Sequence, residues 1–288
     1  MMHYWNYLKT GIQPMQTNSS LLYSSALCSS KDERSLLIYN PQLVGLQIQK
    51  YHRLLAKGFA ENGVSTQALS YHPGLGCVIS STENDAIENG IAYHYIVPNN
   101  DNFARLKVVT ESYRFAKVYF EKHKNAALIC DVLTYSVSMG AVLAARKAGV
   151  PSFGIITDFP EQLSEGKKLY SFLVWKLINM CSGYVVLTEQ MKEKMPGEKP
   201  IIVMEGHVDS GAVVEESIDD SYGQKICIYA GALHRRYGID TLVKAFETAD
   251  IEDAVLFIFG DGDYAEELKN NRIGKIKYFG IVPNAEVV

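Results

Sequence analysis

Runs of consecutive apolar residues, separated by stretches of helical periodicity, leave this chain few choices of architecture. ALICD (127–131), SFGIIT (152–157), GYVVL (183–187) and IIVM (201–204) are apolar at successive positions rather than at alternate ones. A strand of that kind has both faces buried, which calls for a parallel sheet with helices packed on either side. Between the first two runs, Val137, Ala141, Ala144 and Ala148 mark one helical face that Gly149 and Pro151 terminate. Residues 166–181 read as the next helix. Upstream, LLIYN (36–40) reads as a buried strand. Ile48, Tyr51, Leu55 and Phe59 mark a helix that Gly63 ends, and VSTQALS (64–70) reads as the second strand. A strand near 92–97 and a long helix with Leu106, Val109, Tyr113, Ala116 and Phe120 on one stripe follow. Residues 1–34 lack a period, include a polar Ser-rich stretch, and are expected to form an irregular N-terminal extension.

Between Asp209 and Gln224 the chain becomes acidic and loses any core pattern, so 210–223 reads as a linker. A second wound unit is expected over 224–288. It has strands at 225–230, 255–259 and 276–280, a helix from about 239 to 248, and a helix over 263–270 opened by a capping box of Asp263 and Glu266. This unit is half or less of a usual domain of roughly 100–150 residues, so the second domain is expected to be incomplete and the sequence truncated within it. The fold class is therefore α/β, with two Rossmann-like wound parallel-sheet domains, 35–209 being the first.

Other classes are set aside by composition. A net charge of −4 and the lack of a basic stripe interleaved with aromatics argue against a nucleic-acid partner. The five cysteines are scattered and form no Cys-x-x-Cys pair, and the seven histidines show no ligand spacing, so no metal site is expected. No run approaches about 18 apolar residues, and the N-terminus has no signal-peptide core, which makes the cytoplasm the expected address. The apolar segment 167–187, with Lys167, Lys168 and Lys176, reads as a core helix and strand; the alternative is a helix in peripheral contact with a membrane.

The stretch GALHRRYGID (231–240) places two arginines between two glycines where a strand turns into a helix. Glycine admits close backbone approach, arginine offers a planar fork of donors, and a helix N-terminus carries partial positive charge. Gly231, Arg235, Arg236 and Gly238 thus describe an anion site, against the alternative of a solvated basic turn. FIFGDGDY (257–264) ends in a second glycine-rich turn, Gly260, Asp261 and Gly262, at the same carboxyl edge of the sheet, where open α/β sheets bind ligands. The lysine and hydroxyl of a triphosphate loop are lacking, and the spacing is not that of a dinucleotide fingerprint.

YAGALHRRYGIDTLVKAFETA, AVLFIFGDGDYAEEL and IKYFGIV together resemble the first half of the nucleotide-sugar-binding domain of family 4 glycosyltransferases, which have the GT-B fold. IIVMEGHVD (201–209) and KYHRLLAKGFAENG (50–63) resemble the segment closing that family's first domain and its first helix. The resemblance implies transfer of a sugar, with retention, from a nucleotide diphosphate sugar to a saccharide or lipid-linked acceptor. It also implies no cofactor, no obligatory metal, and a role in surface polysaccharide or glycolipid biosynthesis, in the cytoplasm or peripherally at the inner face of the membrane. Arg235 and Arg236 would bind the departing diphosphate. Asp158, in the turn after the strand ending GIIT, would contact the acceptor. Glu205 and His207 follow another strand end, and Gly45 is what remains of the family's glycine pair in the first acceptor-domain loop. There are departures. Ala232 and Tyr237 stand where the family has basic residues, and its downstream pair of glutamates would lie beyond Val288. Two alternatives stay open: a truncated or split, non-catalytic GT-B-like chain that binds nucleotide or acceptor or needs a partner, and a nucleotide-sugar epimerase of similar fold.

Overall fold

The computed structural model describes residues 19–39, 46–72, 74, 85–97, 103–163, 168–209, 223, 225–249, 251–270 and 274–282. The chain divides into two compact units, Met1–Gly211 and Ala212–Val288. Unit 1 is built from β1 (Ser20–Ser25), α1 (Ser30–Tyr39), α2 (Leu46–Glu61), β2 (Ser65–Ser70), β3 (Asp85–Glu88), β4 (Ile91–Tyr95), α3 (Ala104–Lys122) and β5 (Ala126–Asp131). It continues through α4 (Tyr135–Ala148), β6 (Ser152–Ile156), α5 (Pro160–Leu163), α6 (Lys168–Met180), β7 (Gly183–Val186), α7 (Glu189–Glu193) and β8 (Ile201–Val203). The sheet order is β3-β4-β2-β1-β5-β6-β7-β8, with every pairing parallel except β3 with β4. One core layer joins Leu22, Leu128 and Cys130 to α3, α4 and α6; the other joins Tyr23, Ile129 and Ile155 to α1 and α2. This is the α/β architecture that the continuous apolar runs require.

The start of the chain corrects the sequence reading. Residues 19–34 are not irregular: β1 lies at the centre of the sheet, paired with β2 on one side and β5 on the other. Its serines hide the pattern, because Ser24 and Ser25 are fully buried but hydrogen bonded. Ser24 Oγ meets Ser138 Oγ at 3.2 Å, and Ser25 Oγ accepts the Leu27 N–H at 3.1 Å. With that central position taken, Leu36–Tyr39 of LLIYN are not a strand but the end of α1. This helix starts where Ser29 Oγ accepts the Asp32 N–H at 3.2 Å, and it leaves Ile38 87% exposed.

Two smaller differences have local causes. β3 and β4 form an antiparallel hairpin across Asn89-Gly90, whose φ angles of 50° and 75° are those of a tight primed turn, and the Asn-Gly dipeptide is its sequence signal. The buried stripe of α3 is Val108, Ser112, Ala116, Tyr119 and Phe120, while Leu106 is 63% exposed. Of the predicted stripe, Ala116 and Phe120 are buried and Val109 and Tyr113 are half-buried against the same core, so only Leu106 is misplaced.

Unit 2 has β9 (Lys225–Ala230), a single 3₁₀ turn (Arg235–Tyr237), α8 (Ile239–Ala249), β10 (Ala254–Phe259), α9 (Ala265–Asn270) and β11 (Ile276–Gly280). Its parallel sheet runs β11-β10-β9, and Leu233, Ile239, Val243, Leu256, Ile258 and Leu268 form its core. The strand–helix alternation expected for 224–288 is therefore present, with each strand as placed from the sequence to within one residue.

Candidate functional site

At the carboxyl edge of unit 2 the two glycine-rich turns are packed backbone on backbone. The Gly231 N–H donates to the Phe259 carbonyl at 3.1 Å, the Leu233 N–H to the Asp261 carbonyl at 2.9 Å, and the Tyr264 N–H to the Leu233 carbonyl at 3.0 Å. Gly260 has φ +127°, and a Cβ there would stand 1.9 Å from the Gly231 carbonyl oxygen; one on Gly262 would stand 2.5 Å from Leu233. These two glycines thus serve the approach of one turn to the other. Gly238 has a different reason: its φ of +81° ends the 3₁₀ turn and admits the chain into α8. At Gly231 a Cβ would touch only the Tyr229 side chain, at the ordinary contact distance of 3.4 Å, so nothing in unit 2 demands glycine there.

The two arginines behave differently. Arg235 is turned onto its own unit: Nη2 is bonded to both oxygens of Glu267, Nη1 is 3.7 Å from Asp240, and Cζ lies 4.8 Å from the centre of the Tyr264 ring. Arg236 is exposed at the turn, with Cζ 4.7 Å from the centre of the Tyr237 ring. Asp263 does not open α9 as a cap. Its Oδ1 instead accepts the Arg235 N–H at 3.0 Å, and its own N–H donates to His234 Nδ1 at 3.3 Å. Asp261 Oδ1 accepts the N–H of Gly262 at 2.9 Å. Beside these turns is an open depression of about 460 Å³ lined by Asp261, Lys269, Tyr278, Phe279, Gly280 and Ile281.

In unit 1 the strand order reverses between β1 and β5, and a crevice at such a switch point is where open α/β sheets bind ligands. A buried polar chain that the sequence reading missed joins those two strands to α2. The Tyr23 hydroxyl meets His52 Nδ1 at 2.7 Å, and His52 Nε2 lies 3.5 Å from Asp131 Oδ2. Asp131 also accepts the Leu133 N–H at 2.9 Å and the Thr134 hydroxyl. Burial pushes the Asp131 carboxyl up, but His52, Thr134 and the Leu133 N–H outweigh it and hold the group below its ordinary range. The Tyr23 hydroxyl is held well above its range, first by burial and then by the charge of Asp131. The available signal was an aspartate closing an apolar strand in ALICD; His52 carries none, since its helix face only becomes meaningful against β1 and β5.

The remaining predicted residues are dispersed. Asp158 is exposed in the turn between β6 and α5. Glu205 is exposed, whereas His207 Nε2 bonds to the Tyr51 carbonyl of α2 at 2.7 Å and its ring lies 4.5 Å from that of Tyr51, an arrangement that fastens the chain after β8 to α2. Gly45 lies outside the described residues, as does most of the 210–223 linker. Among the described residues no three His, Cys, Asp or Glu side chains are grouped to hold a metal, and no helix is long and apolar enough to cross a membrane.

No protein-family model matches this chain, and no curated protein does. Solved structures do. Anabaena HepE in complex with UDP and glucose is similar over 92% of this chain and 70% of its own, with a TM-score of 0.53 and 12% identity. HepE in complex with UDP-glucose gives 92%, 69%, 0.52 and 13%. A Listeria monocytogenes protein provisionally assigned as a UDP-N-acetylglucosamine 2-epimerase gives 92%, 69%, 0.51 and 12%. The fold is GT-B. At these identities the likeness establishes that much, with a glycosyltransferase or epimerase equally at home on the scaffold.

Proposed function

We propose that this chain uses a nucleotide diphosphate sugar, bound by unit 2, and transfers its sugar with retention to a saccharide or lipid-linked acceptor contacted by unit 1. The observation that carries this is the 231–238 turn. It is a strand-to-helix turn with an exposed arginine and a left-handed glycine at the mouth of α8, on a fold whose solved members include complexes with UDP and UDP-glucose. A departing diphosphate needs positive charge aimed at it, and Arg236 with the N-terminal amides of α8 supplies this without a metal ion. The neighbouring depression lined by Tyr278, Phe279 and Ile281 offers an apolar wall for the rest of the nucleotide. Asp158 is the acceptor-side contact, at the carboxyl edge of β6.

A peripheral membrane contact at the cytoplasmic face belongs to the same reading. α6 buries Val174, Leu177 and Ile178 but exposes Leu169 (72%) and Phe172 (64%) beside Lys168 and Lys176. Both sequence readings of that helix therefore have a face of their own: a core stripe, and an apolar stripe flanked by cations suited to an anionic surface. Assembly of surface polysaccharide or glycolipid is the process this acceptor class points to.

A titration of UDP-glucose into the isotope-labelled chain, with nuclear magnetic resonance of the protein and of released sugar, tests the reading. Shifts gathered at 231–238 and 260–264 together with acceptor-dependent release of UDP are expected. Binding without turnover identifies the non-catalytic chain, which the replacement of two family cations by Ala232 and Tyr237 favours. An epimeric nucleotide sugar identifies an epimerase. A chain that binds no nucleotide sugar refutes the proposal.

A further inference from the structure

We propose that Arg235 is a positioning residue rather than a phosphate ligand, and that Glu267 is its counterpart, the two latching the 231–238 turn in the form that receives the donor diphosphate; this rests on the function proposed above. Three acidic residues from three places converge on Arg235. Glu267 of α9 takes Nη2 with both oxygens, Asp240 in the first turn of α8 lies 3.7 Å from Nη1, and Asp263 in the second glycine-rich turn accepts the backbone N–H at 3.0 Å. The guanidinium is also laid over the ring of Tyr264, a side chain buried in the core of the unit. One cation facing two side-chain carboxylates presents no net positive charge to an incoming diphosphate. What the contacts do instead is join the turn to α9, to α8 and to the core.

The turn that carries Arg236 is thereby held from both sides. Its backbone is tied at Leu233 and Arg235 to residues 261–264, and its side-chain tie runs through Arg235 to Glu267. A binding turn fixed in advance loses less freedom when the ligand arrives, so loosening it lowers affinity without removing any ligand contact. Nη2 takes both oxygens of Glu267 while Nη1 faces Asp240 and the guanidinium plane lies over the Tyr264 ring, and a lysine, a single point of charge, cannot make all three contacts at once.

The experiment uses the full chain, UDP as the probe, and the variants Arg235→Ala, Arg235→Lys, Glu267→Ala, Glu267→Gln and the double alanine. Affinity is followed by resonance shifts and the turn by amide hydrogen exchange. Each single variant is expected to weaken UDP binding by about three- to fivefold, with the double no weaker than the weaker single and with Lys no better than Ala. Exchange at 232–238 rises in each, while that of the unit 1 strands is unchanged. If Arg235 is a ligand, Lys restores binding that Ala abolishes, and Glu267→Ala leaves affinity unchanged or improves it; either result overturns the proposal. If the wild-type chain binds no UDP, the proposed function fails, and the exchange arm still decides the latch: unaltered exchange at 232–238 in both Glu267 variants overturns it.

Discussion

Removing the carboxylate of Asp131 is expected to be among the most damaging single changes in unit 1. The side chain is 3% exposed and accepts from the Leu133 N–H and the Thr134 hydroxyl while facing His52, itself 2% exposed. Asp131→Ala strips all three groups of their partner and leaves His52 buried beside a cavity. Leaving buried donors without their acceptor costs about 1–3 kcal/mol each, so about 3–5 kcal/mol is expected in all. For a unit of this size, at roughly 2–4 °C per kcal/mol, the melting temperature should fall by about 6–20 °C. Asp131→Asn keeps an oxygen for the Leu133 N–H and loses only the charge, so it should cost less, about 1–3 kcal/mol. The sign of the pH dependence follows from the carboxyl being held below its ordinary value of 3.8 in the folded chain. A depressed acid stabilises fully above its unfolded pKa and loses that contribution as pH falls through the folded one. The difference between wild type and Asp131→Asn should therefore be constant above about pH 5 and shrink below about pH 4. Denaturant unfolding followed by circular dichroism, at pH 7 and at intervals down to pH 3.5, measures both. A cost for Asp131→Ala under about 1 kcal/mol at pH 7, or a gap that widens on acidification, would refute the reasoning.

Other outcomes can be stated briefly. Arg236→Ala should weaken UDP binding by about 2 kcal/mol, roughly thirtyfold, and an unchanged affinity returns the turn to a solvated basic loop. Gly260→Ala should cost unit 2 about 3 kcal/mol or more, because its φ of +127° is closed to alanine and the new Cβ would meet the Gly231 carbonyl; limited proteolysis of the 225–282 region that matches wild type would contradict this. Replacing Leu169 and Phe172 together by serine should reduce sedimentation with anionic lipid vesicles at least about tenfold while leaving the melting temperature within a few degrees; a wild-type chain that ignores such vesicles removes the membrane contact.

Strands 126–131, 152–156 and 183–186 were legible because burial on both faces writes itself as consecutive apolar residues, with no need to know the partner strand. β1 was not, although it lies at the centre of the sheet. Its buried Ser24 is satisfied by Ser138, remote in sequence, and Ser25 by the Leu27 N–H in the turn that follows; neither partner is announced by a strand pattern. Asn89-Gly90 lies between these cases, since its hairpin was written in the dipeptide and went unread.

The sequence by itself determined the alternation of strand and helix, the two wound units and the position of the glycine-rich turns, all of which follow from short-range periodicity and backbone freedom. Only the tertiary structure decided what those turn residues do. Gly260 and Gly262 could have been placed for a ligand, yet they make room for the Gly231 and Leu233 backbone; Arg235 could have been left for a ligand, yet Glu267, 32 positions away, engages it at the surface of the unit. Tyr23, His52 and Asp131 become one group only when β1, α2 and β5 are stacked. The reason is the same in each case: a side chain's role is set by the charge and space around it, and those are supplied by residues that the fold, not the chain order, brings near.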